Sequence, residues 1–166
     1  MPSLRLTPRN ATLLVAACTL VAYLNSLGGR FVMDDRCEIA DNPAIRSLVP
    51  PWRSMLGGHN MPARPLPYLT FAVDYSVWGP EPFGYHLTNL AIHTTAALAL
   101  FAFARLSLTT PRLRGTFGQH ATVLAACIAV IWAVHPLQTQ AVTYVYQRLE
   151  SMTGMLCLVS LAAFAK

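Results

Sequence analysis

Charge is what this sequence has least of. Asp, Glu, Lys and Arg together make up 11% of its 166 residues, less than half of the roughly 25% usual in soluble domains. Seven acids and twelve bases do not supply the polar coat of a water-soluble globule, so a soluble domain is excluded. Disorder is excluded from the other side, because apolar residues reach 54% and disordered chains are poor in them. Lysine is nearly missing: eleven of the twelve bases are arginine and the twelfth is Lys166, which points to a GC-rich genome more than to a function. The four cysteines form no C-x-x-C pair, so neither a zinc site nor a disulfide framework is indicated. Cys18, Cys127 and Cys157 lie in apolar runs, where a thiol behaves as a small hydrophobe; Cys37 stands alone in a polar segment. G-x-G-x-x-G, G-K-[ST], H-E-x-x-H and G-x-S-x-G are all absent, leaving Rossmann or P-loop nucleotide binding without support. The class that fits is an all-α integral membrane protein with a mean hydropathy of +0.43.

Four apolar runs carry that reading: 11–27, 87–106, 118–137 and 151–165. A span needs about 20 residues, with a range of roughly 17–25. The first two qualify. The third is strictly apolar only over Ala121–Val134 before it meets Pro136, so it is a re-entrant segment unless extended back to Gly118. The fourth runs to the last residue with no helix stop, as expected of the N-terminal piece of a longer membrane protein or a truncated product. The first run follows Arg5 and Arg9 and has the look of a signal peptide, but the later runs favour an uncleaved signal anchor.

Charge is unevenly spread. Residues 28–85 hold five Arg and six acids; the remainder holds seven bases against Glu150 alone. Basic flanks around spans fit the positive-inside rule better than a nucleic-acid surface. The tail with Arg5 and Arg9 and the connection with Arg105, Arg112 and Arg114 contain no acid, so both are expected inside. Residues 28–86 and 136–150 then face outward, to periplasm or lumen. A bacterial inner membrane with the active site toward the periplasm is the expected location. The sequon at Asn10 falls on the wrong side for glycosylation.

The 28–86 segment holds eight of the twelve prolines, and a loop of that length without function is unusual. Ile45, Leu48, Trp52 and Leu56 have helix-like spacing interrupted by Pro50 and Pro51, which predicts two short pieces lying at the membrane surface. Tyr68–Tyr75 is an aromatic-rich stretch, and Trp78-Gly79-Pro80 is a turn.

Asp34 and Asp35 lie just past the first span. A carboxylate in a partly dry cleft at that depth is suited to general-base work, although a turn with two solvated acids is the simpler reading of the dipeptide alone. On an extended chain the two point to opposite faces and make a poor metal pair. Arg64, between Pro62 and Pro65, is placed to grip a phosphate near the headgroups, or any anionic lipid. His135, Gln138, Thr139 and Gln140 form a polar cluster where Pro136 breaks the third run. Arg148 and Glu150 precede the fourth run and read, most simply, as a surface pair. His93, inside the second span, reads as a helix-packing residue.

One ordered set of segments adds a resemblance. It runs Phe31-Val32-Met33-Asp34-Asp35, Asp41-Asn42-Pro43-Ala44-Ile45, Arg64-Pro65-Leu66, Leu69–Tyr75, Gly84–Leu90 with His93, His135–Val142 and Tyr144-Val145-Tyr146-Gln147-Arg148. From about Tyr23 to Ala165 this resembles the N-terminal membrane region of GT-C-fold glycosyltransferases, in particular the transmembrane and tetratricopeptide-repeat O-mannosyltransferase-like proteins. The resemblance implies that residues 1–166 are the first part of a GT-C-like membrane domain, with about four spans, short interfacial helices in the outer loop, and later spans and repeats absent. It implies transfer of a sugar, often mannose, from a polyprenyl-phosphate carrier to a protein Ser/Thr or other hydroxyl on the outer face. Asp34 maps onto the family's base with Asp35 beside it, where many relatives have Asp-Glu; Gln140 stands where relatives often have Glu. Arg64, Arg148 and His135 are the residues expected at the carrier phosphate. The implied partners are membrane lipid, the polyprenyl-phosphate sugar and an acceptor polypeptide or glycan, with no nucleic acid. No cofactor is implied beyond the lipid-linked donor. A transporter, an assembly subunit or an inactive glycosyltransferase fragment are the alternatives.

Overall fold

The computed structural model describes residues 6–58 and 64–166; Arg5 and Pro62, both used above, lie outside the described residues. Eight α-helices are described: α1 (Pro8–Tyr23), α2 (Pro51–Met55), α3 (Pro65–Trp78), α4 (Pro82–Leu108), α5 (Pro111–Phe117), α6 (Ala121–Ala133), α7 (Thr139–Thr143) and α8 (Arg148–Phe164). No strand occurs among the described residues. The first five helices all begin on proline. A proline at the first helical position lacks only an N–H that would be unpaired there, and its fixed φ is already helical. Prolines that read as loop punctuation are therefore helix starts.

Among the described residues, three stretches are long and apolar enough to cross a bilayer: Pro8–Gly28, Pro82–Leu108 and Pro111–Ala133. The chain is an all-α membrane protein. α8, with 17 residues, is at the short edge of the spanning range.

The chain divides into two compact units. The first comprises Met1–Ala22, Ile92–Gln138 and Thr153–Lys166. Its core joins Ala11 and Val15 of α1 and Ala97 and Phe101 of α4 to a buried alanine row on α6. Ala121, Ala125, Ala129 and Ala133 recur every four residues and are all buried. In lipid, helices gain little from hydrophobic transfer, so close backbone approach over small side chains supplies the association. At the end of that row α6 stops and its last carbonyls lose their helical donors. His93 Nε2 lies 2.9 Å from the Ala133 carbonyl and its ring stacks on Trp132 at 5.2 Å. The helix-packing reading of His93 thereby acquires a specific partner.

The second unit comprises Tyr23–Ala91 and Thr139–Met152. Its core gathers Ile39, Ile45, Tyr68, Phe71, Ala72, Tyr85, Val145 and Leu149. The stretch expected as loop around Tyr68–Tyr75 is the middle of α3. Pro65 and Pro67 sit in its first turn, where they do no harm, and Tyr68, Phe71 and Ala72 fall on one buried face. Gly79, at φ +60°, ends α3, a conformation that side-chain-bearing residues avoid. The two short pieces expected in 44–56 are a 3-10 turn at Pro43–Arg46 and α2. Buried Asn42 ties them together: its amide donates to the Glu38 and Gly57 carbonyls at 3.1 and 2.9 Å, and its oxygen accepts from Ala44 N–H.

Candidate functional site

The acid pair is not extended. Met33 adopts φ +49°, a left-handed conformation uncommon for a residue with a side chain, and the chain then turns into a π-helix at Arg36–Ala40. Short π segments recur at functional sites because their wider turn re-aims side chains. The turn separates the two acids. Asp34 is half-buried, while Asp35 is fully buried.

Asp35 is used internally. Its carboxylate accepts the Val32 N–H at 3.0 Å and the Tyr146 N–H at 2.7 Å, so it fastens the 145–147 segment to the turn that carries Asp34. Burial pushes its carboxyl above the ordinary range, and the backbone donors pull back against that. Asp34 has one carboxylate oxygen at 2.8 Å from the Tyr144 hydroxyl, which donates to it. Burial and that hydrogen bond both hold the Tyr144 phenol protonated, raising its pKa. A neutral donor of this kind fixes the rotamer of an acid without removing its charge.

Beneath the pair lies a second buried acid. Glu38, fully buried, accepts the Tyr68 hydroxyl at 2.7 Å, and burial followed by Glu38 raises the Tyr68 pKa. Burial raises the Tyr146 pKa, with the Glu38 and Asp34 charges adding to the shift and the Tyr68 hydrogen bond and Arg64 opposing it. Arg64 itself is partly exposed and pairs with Glu150 at 2.5 Å. The sequence reading paired Glu150 with Arg148; the structure pairs it with Arg64.

Arg148 is placed differently from a surface carrier ligand. It is fully buried. Its guanidinium makes a 2.6 Å ion pair with Asp74 and donates to Asn89 Oδ1, Thr70 Oγ1 and the Tyr85 carbonyl at 2.7, 3.1 and 2.9 Å. It also lies over the Phe71 ring at 4.5 Å. Asp74 accepts Thr88 Oγ1 on its other oxygen at 2.7 Å. These contacts clamp the start of α8 to α3 and α4 and leave the fork no exposed edge for a phosphate. His135 belongs to the first unit, is exposed, and accepts the Leu137 N–H on Nδ1 at 3.2 Å. Among the described residues no three His, Cys, Asp or Glu side chains are grouped to hold a metal ion.

The structure thus brings Asp34 and Asp35 together with Glu38 and with Tyr68, Tyr144 and Tyr146, four residues not named as site residues from the sequence. The available signals were the i+4 spacing of Asp34 and Glu38 and the alternation Tyr144-Val145-Tyr146.

Over 169 residues the chain is 31% identical to a Xenopus laevis protein named protein O-mannosyl-transferase tmtc2, covering 94% of this chain and 18% of that protein. It is 32% identical over 170 residues to human protein O-mannosyl-transferase TMTC1, covering 96% and 18%. With Drosophila melanogaster protein O-mannosyl-transferase Tmtc1 the identity is 36% over 137 residues, covering 76% and 15%. The chain spans about a fifth of the length of the curated relatives it matches. No protein-family model and no solved structure matches it.

Proposed function

From the premise that this chain is a homologue of part of the protein O-mannosyl-transferases, we propose that it forms the acceptor-activating portion of a membrane glycosyltransferase with Asp34 as general base. The observation that carries this reading is the division of labour in the acid pair. Asp35 is buried on two backbone donors, whereas Asp34 is half-exposed and held by Tyr144. A base must reach both substrate and solvent-borne protons, and it must be aimed.

The donor is a polyprenyl-phosphate sugar, with mannose the sugar that the relatives' names favour, and the acceptor is a protein Ser or Thr hydroxyl. Asp34 takes the hydroxyl proton as the oxygen attacks the anomeric carbon. The bond from that carbon to the carrier phosphate breaks with inversion, and the phosphate leaves with the electron pair. The step balances without a further cofactor, so the protein's contribution is to aim the partners and balance the departing charge. Arg64 is suited to that second task. Its ion pair with Glu150 is partly exposed, and such pairs contribute roughly 0–1 kcal/mol, so exchanging the carboxylate for a phosphate is nearly free.

We place the site on the outer face, periplasmic or lumenal. The support is the acid-free basic segments around Arg9 and Arg105–Arg114, which favour the opposite side. Asp34→Asn in the full-length protein tests the proposal. Transfer to acceptor should fall by about 10²–10⁴-fold with carrier binding retained; a loss below about tenfold rejects Asp34 as the base.

A further inference from the structure

The first unit has a ligand chemistry of its own, independent of the acid pair. Residues 1–22, 92–138 and 153–166 contain no Asp or Glu side chain, against Arg5, Arg9, Arg105, Arg112, Arg114 and Lys166. Within it lies a cleft of about 410 Å³ lined by Pro8 and Thr12 of α1, Leu98, Phe101, Arg105 and Leu106 on one face of α4, and Lys166. The volume falls in the range of small-molecule sites, roughly 300–1,000 Å³.

The charges in this cleft do not close. Arg105 is half-buried and forms no ion pair among the described residues. No Asp or Glu side chain lies in the unit to pair with it. Thr12 donates its hydroxyl proton to the Pro8 carbonyl at 3.0 Å, so it offers an anion no hydrogen bond. Arg105 is therefore a cation with no carboxylate partner among the described residues, lining a largely apolar groove. From Arg105 the groove follows α4 back through Phe101 to Leu98, seven residues or about 10 Å along the helix. A free anion would use the cation and leave that wall bare. A lipid uses both.

We propose that this cleft binds an anionic phospholipid, its phosphate on Arg105 and an acyl chain along Phe101, Leu98 and Leu106. The guanidinium takes two phosphate oxygens at once, and the chain covers apolar surface at the same time.

The test uses the full chain purified in detergent and titrated separately with phosphatidylglycerol, phosphatidylcholine and inorganic phosphate, with bound lipid counted by native mass spectrometry. Phosphatidylglycerol is expected to be retained in preference to phosphatidylcholine, and millimolar inorganic phosphate is expected not to displace it. Arg105→Gln should weaken phosphatidylglycerol binding about fivefold, the equivalent of the ~1 kcal/mol one cation contributes near an anionic surface. Arg112→Gln, which removes a charge from α5 outside the cleft, should leave binding unchanged. If Arg105→Gln fails to fold, Arg105→Lys replaces it, with a smaller loss expected because the charge stays and the fork goes. Equal retention of the two lipids overturns the proposal. So does displacement by inorganic phosphate, which makes this a free-anion site, or an equal loss in Arg112→Gln, which makes it a diffuse charge effect.

Discussion

Removing Arg148 tests whether its role is to hold the fold or to touch the substrate. In Arg148→Met, Asp74 stays buried as a carboxylate with Thr88 as its remaining donor, and the acceptors on Asn89, Thr70 and Tyr85 lose a charged partner. Adding those hydrogen bonds at about 1.5–3 kcal/mol each overstates the loss, because the arginine itself no longer has to be stripped of water. The relevant magnitude is that of breaking one side of a buried pair, about 3–5 kcal/mol. At roughly 2–4 °C per kcal/mol for a chain of this size, the melting midpoint should drop by about 6–20 °C. Asp74→Leu should behave similarly, leaving the guanidinium stranded. The double variant Arg148→Met with Asp74→Leu removes both charges and their desolvation, and should recover much of the loss, as apolar replacements of buried pairs do. Tryptophan-fluorescence melts of the 166-residue chain in detergent give the midpoints, and carrier saturation curves on the full-length protein give the function. A drop under about 2 °C for Arg148→Met, or single effects that simply add in the double variant, would refute the clamp. A double variant that melts normally yet no longer saturates with carrier would return Arg148 to the phosphate.

Tyr144→Phe removes the hydroxyl that donates to Asp34 and little else; turnover should fall several-fold to about tenfold with carrier saturation unchanged, and a change in saturation alone would show that Tyr144 touches the carrier instead. Asp35 supplies a pH signature. Its folded pKa is raised above the ordinary 3.8, so the folded state favours the protonated acid, and stability is greatest below 3.8 and declines as pH rises through the raised value. Melts between pH 3.5 and 7 should lose that component of their slope in Asp35→Asn; an unchanged slope would assign it to another group. Arg64→Lys should raise the carrier concentration needed for half-maximal rate and Arg64→Ala should raise it further, since Lys keeps the charge and loses the fork; saturation curves unaffected by both would clear Arg64 of the phosphate.

The membrane class was legible because hydropathy is a composition-level property, as was the helix-packing role of His93, a lone polar group in an apolar run. The alanine row of α6 was equally open to reading, since its period of four is local. α3 was not, because two prolines mask a helix whose later residues carry no breaker. The acid pair was visible as residues and hidden as geometry. The left-handed Met33 and the π turn after it decide that Asp34 looks out and Asp35 in, and neither leaves a mark in the dipeptide. Arg148 was misjudged for a related reason. Its partners Asp74, Asn89, Thr70 and Tyr85 lie 59 to 78 residues away in sequence, and an arginine read next to Glu150 looks like a surface residue. Long-range burial is the information a single sequence withholds.

The partition of charge between the two units has a bearing on any titration of this protein. All seven side-chain carboxylates lie in 23–91 and 139–152. Acidification through the carboxylate range therefore neutralises side-chain acids in the second unit alone. As far as side-chain carboxylates go, acid titration of a membrane-bound sample is a one-sided experiment. Any change in electrophoretic mobility, lipid retention or melting that traces to side-chain carboxyl protonation originates in the half bearing Asp34.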